Sequence, residues 1–260
     1  MNKKIFSTLA SINLVMVYGF VILLIITPPM YLIAILTTLW DRKGNGVHIM
    51  ARYYARILIK CGFIRVRIEG KENLEPGANY IFAANHSSIF DILVLMAYLP
   101  IQFRWLAKKS LFSLPVYGHS MKLAGYIPID RSNPREGVKS LEKAAEKVRK
   151  GASVIIFPEG TRSDDGQIGE FKRGGFILAV KAGLPIVPVS ISGAHRVMPA
   201  RTFKVYPGPI KVVFGKPIPT KDIKRSEQNQ LMAEVRKVIL ANYDPEYGLK
   251  KRAAKENLYE

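Results

Sequence analysis

Tyr80-Ile-Phe-Ala-Ala-Asn-His-Ser-Ser-Ile-Phe-Asp-Ile-Leu-Val-Leu-Met-Ala-Tyr-Leu99 decides the fold. Tyr80–Ala84 is an apolar run of strand length. Asn85 to Ser88 is a polar break, and Ile89–Leu99 is apolar over a helical length, so the unit reads strand, turn, helix. The alternation continues on both sides. Strands are predicted at Ile64–Ile68, Phe103–Leu106, Gly125–Ile129, Ser153–Phe157, Ile186–Ile191 and Ile210–Phe214. Helices are predicted at Val116–Leu123, Pro134–Arg149, Gly175–Ala182 and Ser226–Asn242. Pro134 suits a first helical turn and Gly151 a stop just past the end. This is the pattern of an α/β domain with a mixed, largely buried sheet flanked by helices, over residues 63–220. Residues 221–260 form a C-terminal helix and a polar, mobile tail. Its Lys250-Lys251-Arg252 cluster is either solvated or touches acidic lipid.

The polar break carries chemistry. His86 and Asp91 would lie about 140° apart on a regular helix and could not meet. They meet if His86 ends the loop and Asp91 sits in the first helical turn. Asp91 would then fix the imidazole tautomer and leave the other nitrogen to take a proton. Ser88-Ile-Phe-Asp91 also reads as a capping box, in which Asp91 bonds backbone instead. No Gly-x-Ser-x-Gly turn exists, and Cys61, the single cysteine, is a poor nucleophile candidate. A base here would activate a hydroxyl of the substrate.

Phe157-Pro-Glu-Gly-Thr-Arg-Ser163 follows another apolar strand. Gly160 permits a tight turn, Arg162 can grip a phosphate with two donors, and Thr161 and Ser163 can add hydroxyl bonds. Lys172 and Arg173 follow. The competing reading is a surface turn with a solvated Glu–Arg pair. Gly125-Tyr-Ile-Pro-Ile-Asp-Arg131 and Lys108-Lys109 are each either a second phosphate contact or a strand-end ion pair.

The chain of 260 residues carries 39 basic and 20 acidic side chains, net +19. The excess sits in the domain: Asn45–Thr220 holds 26 basic and 12 acidic residues, +14, whereas the segment from Lys221 holds 9 and 7, +2. An anionic partner is implied. Ile5 to Trp40 contains no charge over 36 residues. As one helix it would run about 54 Å, beyond the roughly 30 Å hydrocarbon core. Pro28-Pro29 is expected to break it, leaving Ile5–Ile26 able to span and Met30–Trp40 too short. The run is too long for a secretory signal and no small-residue cleavage site follows. Residues 1–62 therefore read as an N-terminal membrane anchor, crossing once or folding back in one leaflet. Arg42, Lys43, Arg52, Arg56 and Lys60 place the domain on the cytoplasmic face. One cysteine allows no intrachain disulfide, in keeping with a reducing compartment. Arg52, Arg56 and Lys60 line one side of an amphipathic helix, Val47–Cys61, which is either a membrane-surface element or a solvated face.

No phosphate-binding Gly-rich loop and no dinucleotide fingerprint occurs. His48, His119 and His195 lack metal-ligand spacing, so no metal is expected. No aromatic-basic motif supports nucleic-acid binding. Four blocks in order, His86-x4-Asp91, Gly125–Arg131, Phe157–Ser163 and Pro185-Ile-Val-Pro-Val-Ser190, resemble the glycerolipid acyltransferase superfamily, in particular the PlsC-type lysophosphatidate acyltransferases. The resemblance implies an acyl thioester donor, acyl-CoA or acyl carrier protein, as co-substrate and no resident cofactor. It implies a lysophospholipid acceptor, acylated at sn-2 to give phosphatidic acid. It implies His86 as base, Asp91 as its orienter, and Arg131, Glu159, Gly160, Thr161 and Arg162 around the acceptor phosphate. Lys109 matches a lysine common in the family. Ser110 stands where many members carry an acidic residue, which weakens that site.

Lyso-ornithine lipid or glycerol 3-phosphate acceptors share the motifs. The rival from another class is a catalytically silent, membrane-tethered binder of anionic lipid or nucleic acid. The ordered motifs argue against it, because charge alone would not require His86 or Glu159.

Overall fold

The computed structural model describes residues 14–130, 133–149, 151–202 and 204–249. Arg131, the first part of the apolar run and the Lys250–Arg252 cluster lie outside the described residues. The strands are β1 Arg65–Glu69, β2 Ile81–Ala84, β3 Phe103–Lys108, β4 Ile127–Ile129, β5 Ser153–Ile156, β6 Ile186–Ser192 and β7 Pro209–Phe214. The helices are α1 Leu14–Thr37, α2 Asn45–Cys61, α3 Ile89–Tyr98, α4 Tyr117–Leu123, α5 Pro134–Arg149, α6 Gly174–Ala182, α7 Ala194–Val197 and α8 Gln228–Asn242. The sheet order is β1-β7-β6-β2-β5-β3-β4. Every pair is parallel except β6–β7, so the sheet is mixed.

Central strands β2, β5 and β6 are buried on both faces, which is why they read as unbroken apolar runs. Successive side chains feed two cores. Phe82 and Ile155 pack with α2 and α3 residues such as Ile59, Val94 and Leu95. Ile81, Val154 and Ile156 pack with Val148 of α5, Leu178 of α6 and Val235 of α8. Because β2 and β5 are parallel neighbours, the turns after them emerge side by side at the C-terminal edge of the sheet, where open α/β sheets bind ligands.

Three expectations are revised. α1 runs through Pro28 and Pro29 without a break. The prolines remove the N–H groups that would reach the carbonyls of Leu24 and Ile25. Tertiary bonds hold the helix nearby: Thr27 Oγ1 shares a 2.8 Å hydrogen bond with the Tyr54 hydroxyl, and the Tyr31 hydroxyl lies 2.7 Å from His119 Nδ1. Among the described residues no helix is long and apolar enough to cross a membrane. Second, Arg52 and Arg56 are half-buried rather than freely solvated, while Lys60, the third member of that face, is exposed. The two arginines donate to the carbonyls of Ile101 and Ala97 at 3.1 and 3.0 Å, satisfying acceptors in and beyond the last turn of α3. Third, the tail begins docked. Asp244 N–H donates to Ser192 Oγ at 3.0 Å, and Arg196 donates to the Pro245 carbonyl at 2.7 Å.

His48 in α2 is fully buried, edge-on to Phe103, with Nδ1 3.2 Å from the Tyr126 hydroxyl and Nε2 without a partner. Burial, with Arg104 and Arg52 nearby, pushes its pKa down to about 3. The unfolded chain takes this proton near pH 6.5, while the folded one refuses it until about pH 3, so stability falls as pH falls between these values. At about pH 5 the loss is about 2 kcal/mol relative to neutral pH. His48→Gln should flatten this part of the pH dependence in urea unfolding. An equal acid-side loss in the variant would show that other groups carry it.

Candidate active site

β2 delivers the first half of the site. Asn85 extends it sideways, its amide donating to the Ile191 carbonyl at 3.0 Å while its oxygen accepts from Ile191 N–H at 2.7 Å. The chain then turns into α3. Ser88 is the N-cap: its Oγ accepts from Phe90 N–H at 3.2 Å and donates to the Met198 carbonyl at 2.7 Å. Asp91 completes the capping box. The same carboxylate also meets the histidine. Asp91 Oδ2 accepts from Ser87 N–H and Ser88 N–H at 2.7 Å each, and His86 Nδ1 lies 2.9 Å from it. The cap and the pair, which the spacing presents as alternatives, coexist on one oxygen. Oδ1 is buried without a partner. With Nδ1–H committed to a carboxylate, the imidazole is held as the tautomer whose Nε2 accepts.

The second turn clamps the first. Ser163 N–H donates to the His86 carbonyl at 2.9 Å, and His86 N–H donates to Glu159 Oε1 at 2.7 Å. Glu159 Oε2 accepts from Gly169 N–H at 2.9 Å. The residue is 6% exposed, and burial pushes its pKa up while the two N–H bonds pull it down. Glu159 thus faces inward onto backbone. Gly160 turns with φ +79°, and the Lys172 side chain folds over it: a Cβ there would stand 3.1 Å from Nζ. Thr161 and Arg162 are exposed at the tip. Among the described residues Arg162 has no hydrogen-bond or ion-pair partner. Lys109 donates to Asp130 at 2.9 Å, the strand-end ion pair.

The His86 ring stacks on Phe157, with centroids 3.9 Å apart, and Phe157 stacks on Trp105 at 5.7 Å. His86, Phe157, Gly160 and Lys108 share a cavity of about 320 Å³ whose remaining lining is chiefly apolar, including Ile92, Leu93, Met96, Trp105, Leu111 and Met121. Sequence spacing could not reveal this cavity, because α2, α3, β3 and α4 each contribute to it. A second hollow of about 430 Å³, outside the loop tip, is lined by Thr161 and Arg162 but also by Asp164, Asp165 and Glu170.

The family model described as Acyltransferase matches residues 65–192. A chloroplastic 1-acyl-sn-glycerol-3-phosphate acyltransferase of Brassica napus is 38% identical over 184 residues, 69% of this chain and 53% of that protein. A 1-acyl-sn-glycerol-3-phosphate acyltransferase of Limnanthes douglasii is 37% identical over 208 residues, 78% of this chain and 72% of the relative. Against the first relatives compared, the chain spans about half of their length (53% and 48%). The crystal structure of the 1-acyl-sn-glycerophosphate acyltransferase PlsC from Thermotoga maritima superposes with a TM-score of 0.74 at 27% identity, covering 87% of this chain and 92% of that one. With the fold and more than two thirds of a relative's length in common, the chain belongs to the acyltransferase family of these 1-acyl-sn-glycerol-3-phosphate acyltransferases.

Proposed function

We propose that the chain transfers an acyl group from a thioester, acyl-CoA or acyl carrier protein, to the sn-2 hydroxyl of 1-acyl-glycerol 3-phosphate, giving phosphatidic acid. The observation that carries this is a histidine oriented by a buried carboxylate at 2.9 Å, in the lining of a chiefly apolar cavity of about 320 Å³. His86 Nε2 takes the proton as the hydroxyl oxygen forms its bond to the thioester carbonyl. The tetrahedral adduct collapses, the C–S bond breaks, and the proton passes to the departing thiolate. The cavity accepts an acyl chain. The outer hollow, with Asp164, Asp165 and Glu170, would repel a phosphate. Its place is the side of Gly160, where Lys108 and Lys172 stand and Arg162 can reach over the tip. Glu159 serves this site from behind, as a brace. No metal or resident cofactor is required by this chemistry.

The test is thiol release by the purified chain with acyl-CoA or acyl carrier protein, with and without lysophosphatidate. Acceptor-dependent release is expected. A monoacylglycerol, which lacks the phosphate, should be a poor acceptor, and Arg162→Lys should raise the KM for lysophosphatidate. No acceptor-dependent release with either donor would favour the silent lipid binder.

The same reading places the chain on a membrane, with the domain on the cytoplasmic face. α1 exposes Leu24, Ile25, Leu32, Ile33 and Leu36, and Trp40 just beyond it is 82% exposed. Leu111 and Tyr117, which line the cavity, are exposed, as are Leu114 and Val116 between them in sequence. Contact through apolar side chains predicts that flotation with anionic vesicles survives high salt, whereas charge alone is screened within about 10 Å or less. Complete release by salt would remove the apolar contact from the account.

A further inference from the structure

The matched family segment ends at residue 192, and α8 lies beyond it. Yet α8 reaches the loop that stands behind His86. Arg236 Nη2 donates to the Ile168 carbonyl at 3.2 Å, its Nε approaches the Gly169 carbonyl at 3.5 Å, and its guanidinium lies 6.0 Å from the centre of the Phe171 ring. Just past the end of α8, the Tyr243 hydroxyl donates to the Gly166 carbonyl. These four residues, 166, 168, 169 and 171, belong to one loop. Its Gly169 N–H donates to Glu159 Oε2, and Glu159 Oε1 accepts from His86 N–H.

We propose that Arg236 and Tyr243 are positioning residues of the active site, holding the 166–169 loop so that Glu159 keeps the His86 backbone in register with Asp91. Docking of α8 does not need them. Leu231, Val235 and Ile239 are already buried in the core and fix the helix. The two polar side chains instead converge on the one loop whose amide supports the buried carboxylate. Each Glu159 oxygen has a backbone N–H on it, so drift of Gly169 would remove half of the support of that carboxylate. A small displacement of a general base is felt directly in turnover. The proposal rests on the reading of His86 as base.

The test uses the full chain with Arg236→Met, Arg236→Lys and Tyr243→Phe. It measures kcat, both KM values, thermal stability and amide exchange at Gly169. Arg236→Met should lower kcat about three- to tenfold, with both KM values within about twofold, and should speed Gly169 exchange. Arg236→Lys, which keeps one donor, should recover part of the loss, and Tyr243→Phe should act in the same direction. Combined with Glu159→Gln, Arg236→Met should add little, because both break one chain of bonds. A lower melting temperature with unchanged kcat per folded molecule would make both residues mere packing. A raised acceptor KM with unchanged kcat would assign them to binding. Unchanged Gly169 exchange would break the relay itself. A wild-type chain without acceptor-dependent release would instead defeat the reading of His86, and the exchange measurement tells the two failures apart.

Discussion

His86→Ala should lower kcat by about 10²–10⁴-fold, the usual contribution of a positioned general base, while the fold survives. The ring contributes one bond to Asp91 and one stacking face to Phe157, but the chain around it is held by backbone: His86 N–H on Glu159 and the His86 carbonyl on Ser163 N–H. Truncation therefore leaves the two turns clamped to each other. The KM for lysophosphatidate should change little, because the cationic groups around Gly160 are untouched. Such a pattern, kcat lost with KM kept, marks an interaction made only in the transition state. His86→Gln is a second variant that fills the space better. Full turnover in both would remove His86 from the chemistry and leave the cavity without a base.

How much of this was legible depends on range. β2, the Ser88 cap and α3 follow from local pattern, since strand run, polar break and helical run adjoin in sequence. The seven strands were legible for the same reason, and Pro134 and Gly151 marked the start and stop of α5. The partnership of His86 with Asp91 was half legible. Spacing showed that the pair required a cap at Ser88, but treated the capping box as a competitor. It missed that one carboxylate oxygen accepts three donors. The inward face of Glu159 was not legible, because Glu-Gly-Thr-Arg looks the same whether its glutamate faces solvent or backbone. The prolines of α1 misled for the opposite reason: local chemistry favours a break, and bonds to Tyr54 and His119 from elsewhere in the chain hold the helix. Arg236 lies 150 residues after His86, and nothing near it in sequence announces the loop it serves.

Asp91→Ala and Asp91→Asn should separate the two duties of that residue. Alanine removes both. Ser87 and Ser88 are buried, so their N–H groups lose their acceptor without gaining water. The cost should be about 2–4 kcal/mol, from the lost cap and the unpaired donors together. Turnover should fall as well, because stacking on Phe157 holds the ring plane but does not set its tautomer. Asparagine keeps a carbonyl oxygen that can take the place of Oδ2 and still accept from Ser87, Ser88 and His86 Nδ1, so the helix cap and the ring tautomer both survive. Its NH2 group then takes the buried place of Oδ1, where no acceptor stands, so stability should fall, but by less than in Asp91→Ala. What is lost at His86 is the charge that stabilises the imidazolium formed when the ring takes a proton. Asp91→Asn should therefore be slower than the wild type but keep more turnover than Asp91→Ala. A fully active Asp91→Asn would show that the carboxylate charge plays no part here. An unstable but fully active Asp91→Ala would reduce Asp91 to a helix cap, and the 2.9 Å contact with His86 would then be a consequence of capping geometry alone.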